Sequence, residues 1–169
     1  MAKPQSGDYP PYFNGYIQKV EQDNVQELVN NLSYPLTYFF LNLADEKADY
    51  RYAADKWTLK DMLQHIIDTE RIMQYRLLRI ARNDQTPLPG FNENEYAASA
   101  EANNRTFIEL KEEFKALRKS TDLLLKSLNE KQLQYTGNAS NHPVTANAIA
   151  FIIFGHLLHH KQIIEERYL

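Results

Sequence analysis

The sequence has no cysteine. Disulfide staples and thiolate metal sites are excluded, so any bound metal ion must take histidine, carboxylate or water. The same lack suits a reducing compartment. Long apolar runs are also missing. The longest near the C-terminus, Ala148–Phe154, is far short of the ~20 residues that span a bilayer. Met1–Pro11 is polar and proline-bearing and has no apolar stretch of the kind a secretory signal needs. A cytoplasmic protein is expected. Positive charge is not in excess: 19 Lys and Arg face 22 Asp and Glu, a formal net charge of -3. That leaves no reason to expect nucleic acid or an anionic membrane as partner. Glycine is scarce, with five residues, and no phosphate-cradling glycine loop or Gly-x-Ser-x-Gly elbow occurs. No repeat of 20–50 residues and no heptad run is present.

What is there suits one all-α domain. The 169 residues, 43% hydrophobic, suffice for a single real core. Residues 1–15 read as an extended arm, because Pro4, Pro10 and Pro11 oppose a helix start. Residues 16–169 read as one four-helix domain. Apolar residues recur at three- and four-residue steps in four stretches. These predict helices over Tyr16–Leu43, Thr58–Arg82, Thr106–Leu128 and Thr145–Tyr168. In the first, a five-residue step from Val20 to Val25 leaves Asn24 as an alternative start, and Pro35 predicts a kink near Asn31–Pro35. Thr58 with Asp61 and Thr106 with Glu109 have the spacing of capping boxes, and Thr145 suits an N-cap. Asn83–Ala98 and Asn129–Pro143 read as loops, with a turn at Gly137 and Asn138. A loop as long as the first is expected to be functional, or to carry a crossover between parallel helices two and three. Helices one and four carry Tyr38, Phe39, Phe40, Phe151 and Phe154, so a homodimer contact is expected there.

The chemistry concentrates near the C-terminus. Gly155-His156-Leu157-Leu158-His159-His160 holds three of the five histidines. At about 3.6 residues per helical turn, His156 and His160 lie almost one above the other. Such a pair can share a metal ion if a third ligand comes from elsewhere, or can be two polar residues on a half-buried face. His159 is turned about 100° away from His160 and is expected outside any coordination sphere, as is His142 in the preceding loop. Leu157 and Leu158 replace the residues that would make a metalloprotease His-Glu-x-x-His. On helix two, His65 shares the face of Met62, Ile66, Thr69, Ile72 and Met73, so it points inward, as a ligand or as a core histidine satisfied by a hydrogen bond. Gly155 either lets a neighbouring helix approach His156 or serves simple packing.

The chain resembles the DinB-like (DinB/YfiT-like) superfamily of metal-dependent four-helix-bundle proteins. The resemblance runs from about Tyr16 to Leu169. It rests on Tyr50-Arg51-Tyr52-Ala53, Lys56-Trp57-Thr58-Leu59-Lys60-Asp61, His65-Ile66-Ile67-Asp68-Thr69-Glu70-Arg71, Leu88-Pro89-Gly90-Phe91 and the histidine segment. It implies an up-down-down-up bundle and a metal triad falling on His65, His156 and His160. The ion it implies is divalent, zinc or nickel first. Activity is then expected toward a small-molecule substrate. The first expectation is a thiol S-transferase that activates a low-molecular-weight thiol. The alternatives are a hydrolase activating water, with Asp68 as the candidate base one turn beyond His65, and a non-enzymatic, metal-stabilised stress-response or binding protein.

Overall fold

The computed structural model describes residues 1–169. Its named elements are α1 (Asn14–Lys19), α2 (Val25–Glu27), α3 (Ser33–Leu41), α4 (Leu59–Ala81), α5 (Glu93–Ala100), α6 (Phe107–Ser127), α7 (Glu130–Leu133), β1 (Thr136–Ala139), β2 (His142–Thr145) and α8 (Ala146–Arg167). α4 packs on α6 and α8, and α3 packs on the same two helices. α3 and α4 therefore lie on opposite sides of one core.

Local chemistry sets the ends of the long helices. Thr58 and Asp61 form a capping box at the start of α4, and Thr106 and Glu109 form one at the start of α6. Each satisfies two backbone donors that the first turn would leave open. Thr145 accepts from Ala148 N at 3.1 Å and opens α8. α8 is buried on every side from Ala146 to Leu157, as a helix apolar all round must be.

The first predicted helix is broken. α1 stops at Val20, whose φ of -90° and ψ of 120° leave the helical region. The chain restarts at Val25 with Asn24 as cap, where the five-residue step fell. Pro35 does not stop α3. The widened turn Leu28–Leu32, a π-type turn, lies just before it. Such a turn accommodates the amide that proline lacks.

Four elements go beyond the sequence expectations. α5 lies within and beyond the expected loop Asn83–Ala98 and buries none of its residues, so it carries no apolar stripe. The second loop contains α7 and the antiparallel hairpin β1–β2. The hairpin turn is at Ser140 and Asn141, with φ of 54° and 65°, not at Gly137 and Asn138. Two successive positive φ values are the geometry of a tight hairpin turn. Leu88 joins the hairpin edge by a parallel bridge to Ala139.

The arm is tied down. Asp8 O accepts from Thr145 N at 2.9 Å and Ala2 O from Asn147 Nδ2 at 2.9 Å. This brings Tyr12, Phe13 and Tyr16 over α8. Of the residues expected to form a subunit contact, Phe40, Phe151 and Phe154 are fully buried in the chain's own core. Tyr38 stays exposed, together with Tyr34. No helix is long and apolar enough to cross a membrane.

Candidate metal centre

His65 lies two turns into α4, and His156 and His160 lie near the middle of α8. The capping box fixes the register of α4. Trp57, just outside it, lays its ring 4.8 Å from the His65 ring. Gly155 decides how closely α1 can approach α8. A Cβ at that position would stand 2.6 Å from the Tyr16 carbonyl carbon and 2.9 Å from its Cβ. With hydrogen there instead, the Tyr16 ring sits edge-on to His156 at 5.5 Å. Of the two readings of Gly155, close helix approach is the one the packing supports.

The three imidazoles converge. His156 Nε2 is 3.1 Å from His65 Nε2 and 3.0 Å from His160 Nε2. All three residues are buried. An imidazole Nε2 has either one hydrogen or one lone pair, so His156 can make one good hydrogen bond here, not two. One nitrogen of the cluster is left facing another without a proton between them, and His160 Nδ1 is buried with no partner at all. Burial pushes the His65 pKa down to about 4, assisted by the His159 charge. It pushes His156 and His160 well below the usual imidazole range, with neighbouring histidines adding to the effect. The rings are neutral at physiological pH, the state in which imidazole binds metals. Nitrogens bound at about 2.1 Å to one ion stand roughly 3.0–3.4 Å apart for angles between square and tetrahedral. The donor set and spacing fit a divalent cation. They lack one usual feature: none of the three Nδ1 atoms has a hydrogen-bond acceptor.

His159 is not one of the three converging residues. It lies half-buried, with its ring 5.3 Å from that of Tyr16. His142 is exposed beside Tyr12 in the hairpin. Asp68 does not reach the triad. It accepts from Gln64 Nε2 at 2.9 Å and lines a polar hollow with Arg71 and Arg105 that contains none of the three histidines. Helical rotation explains the miss. Asp68 is about 60° off the His65 direction, whereas Thr69 is about 40° off it on the inner side. Burial raises the Asp68 pKa against the pull of Gln64.

The residues that do share a cavity with the centre are others. A hollow of about 220 Å³ adjoins His156 and is walled by Tyr16, Thr69, Arg76, Glu93 and Ser140 among others. Thr69 and Arg76 stand four and eleven residues after His65, so both fall on its stripe. That spacing was visible in the sequence. Glu93 and Ser140 come from α5 and the hairpin turn, neither of which left a periodic signal.

A family profile described as DinB superfamily matches residues 21–164. No curated protein matches the chain. Among solved structures, the fold is similar to YfiT from Bacillus subtilis, described as "a probable metal-dependent hydrolase with an unusual four-helix bundle topology". The identity is 18% and the TM-score 0.66, over 98% of this chain and 92% of that one. It is also similar to the mycothiol-dependent maleylpyruvate isomerase, at 11% identity and a TM-score of 0.65. That match covers 85% of this chain and 60% of the other, so this chain spans less than two thirds of that protein.

Proposed function

Since the chain belongs to the DinB superfamily, we propose that it is a metal-dependent enzyme acting on a small molecule, with His65, His156 and His160 holding one divalent ion. The observation that carries this reading is the convergence of three buried Nε2 atoms that cannot satisfy one another. The single domain of residues 16–169, entered through the arm 1–15, and the up-down-down-up path with its crossover between α4 and α6 belong to the same reading.

A divalent ion in such a site lowers the pKa of a thiol or water and stabilises developing negative charge. The chain's own residues then bind and shield. The arm residues Tyr12 and Phe13 and α1's Tyr16 wall the cavity beside His156. Thiol S-transfer is the preferred activity. A thiol begins near pKa 8.5 and needs no protein base once its pKa falls. No carboxylate joins the three histidines, and Asp68 faces another hollow. The thiol comes from outside, since the chain has none.

Hydrolysis is the second reading. It is favoured by the Glu93 carboxylate in the wall of the cavity that His156 shares, where a general base is needed. The similarity to YfiT, a probable metal-dependent hydrolase, also supports it. The test is a panel of low-molecular-weight thiols with electrophiles, and of amide and ester substrates, on metal-loaded and chelator-treated protein. Thiol-dependent turnover lost with the metal is expected. Equal turnover with and without metal contradicts the proposal. Metal-dependent hydrolysis without thiol selects the second reading.

A further inference from the structure

Two arginines are buried, and only one has a counter-ion. Arg118, 1% exposed, pairs with Glu70 at 2.8 Å and Asp122 at 2.7 Å. Arg76, 4% exposed, pairs with no carboxylate. Its Nη2 donates to Pro89 O at 2.7 Å and to Ser140 Oγ at 3.0 Å. Its Nη1 donates to the Met73 sulfur, at 3.9 Å, and the guanidinium carbon lies 5.8 Å from the centre of the Phe91 ring. These neutral groups orient the guanidinium without cancelling its charge, which arginine does not give up. An uncompensated buried charge is costly and persists where something else compensates it.

A second observation points to the same wall. Thr69 Oγ1 is buried without a partner. Thr69 and Arg76 both line the cavity that reaches His156. They are seven residues apart on α4, within about 20° of one another round the helix. From His65 to Arg76 the axis rises roughly 16 Å. Of the three histidines His156 lines the cavity, so its wall holds both a cation and a histidine.

Building on the metal-centre reading, we propose that Arg76 and Thr69 form the anchor for a carboxylate on the substrate, at the end remote from the reacting group. A carboxylate fits better than a phosphate dianion. The anchor has one cation, and Glu93 already contributes negative charge to the same cavity. Arg76 offers Nη1 to the anion while Nη2 stays tied to the hairpin and the Pro89 segment. Thr69 adds a hydroxyl donor. Arg76 is here a binding residue and takes no part in bond making.

The probes are hexanoate, 1-hexanol and hexyl phosphate, titrated calorimetrically into the full chain before and after chelator treatment. Hexanoate is expected to bind chelator-treated protein about tenfold more tightly than 1-hexanol, the worth of a charged hydrogen bond. Arg76→Gln should erase the preference, and Thr69→Val should reduce it about threefold. His160→Ala should leave it in place, which separates the anchor from the metal centre. A preference that survives Arg76→Gln, or equal binding of acid and alcohol, overturns the proposal. Tighter binding of hexyl phosphate overturns the carboxylate assignment. Loss of the preference in His160→Ala overturns the anchor and leaves the metal reading standing. Metal retained by His160→Ala overturns the triad, and the Arg76 dependence is then still measured on its own. Should Arg76→Gln fail to fold, the wild-type Arg76 Nε–H resonance decides. It should shift with hexanoate and not with 1-hexanol, and no shift overturns the proposal.

Discussion

α4 carries two buried polar clusters, and they are built on opposite principles. Around Glu70, opposite charges meet. Arg118 Nη1 donates to Glu70 at 2.8 Å, Thr121 Oγ1 donates to the same oxygen at 2.7 Å, and Arg118 Nη2 donates to Asp122. Burial raises the Glu70 pKa, and Arg118 and Thr121 oppose that. Glu70 Oε2 and Arg118 Nε stay unpartnered, but each charge has an opposite charge beside it, and the cavity beside the triad does not reach them. Around His65 the groups are alike rather than complementary. Nitrogens face nitrogens, an arginine lacks its anion, a threonine hydroxyl lacks an acceptor, and a cavity adjoins all three. Burial is about equal in the two clusters. What separates a structural cluster from a site is whether the protein completes it.

The largest expected effect lies in the completed cluster. Arg118→Leu leaves the buried Glu70 and the half-buried Asp122 without their cation and should remove about 3–5 kcal/mol of stability in urea unfolding. Metal content per folded molecule should not change. A loss below about 1 kcal/mol would mean that this cluster is no more completed than the other.

Next comes the packing that supports the open cluster. Gly155→Ala gains up to about 1 kcal/mol of helix propensity, but its Cβ meets Tyr16 backbone rather than a movable side chain. Overpacking of that kind costs about 1–3 kcal/mol. A net loss of stability is expected in thermal melts, with α1 displaced in a crystal structure. A more stable variant with α1 unmoved would show that close approach is not what Gly155 provides.

These two substitutions also mark what the sequence could reveal. Helix ends were legible at Thr58, Thr106 and Thr145, because capping depends on residues three apart. The His156–His160 pair was legible for the same reason, as one turn of one helix. That His65 joins them depends on how α4 packs on α8. From the residues alone it was one of two readings, and the family resemblance decided between them. The hairpin turn was misplaced because each strand has four residues and pairs under tertiary control. α5 buries nothing and so wrote no pattern. The inward stripe at Thr69 and Arg76 was readable. The missing counter-ion was not, since the lack of a partner is visible only in three dimensions.

The smallest effect should come from Asp68→Asn. Asp68 lines a hollow apart from the triad, so the change should move stability by less than about 0.5 kcal/mol and leave metal content and thiol-dependent turnover as they were. A large loss of turnover with metal retained would restore Asp68 as a base and place the reaction nearer its hollow.

The central claim is that the incomplete cluster is completed by a metal ion held by His65, His156 and His160. The direct measurement is metal content by mass spectrometry after dialysis against a mild chelator, on wild type, His160→Ala and His159→Ala. Wild type and His159→Ala should each keep one equivalent of a divalent metal, and His160→Ala should keep none. One equivalent retained by both variants, or none in the wild type, contradicts the claim.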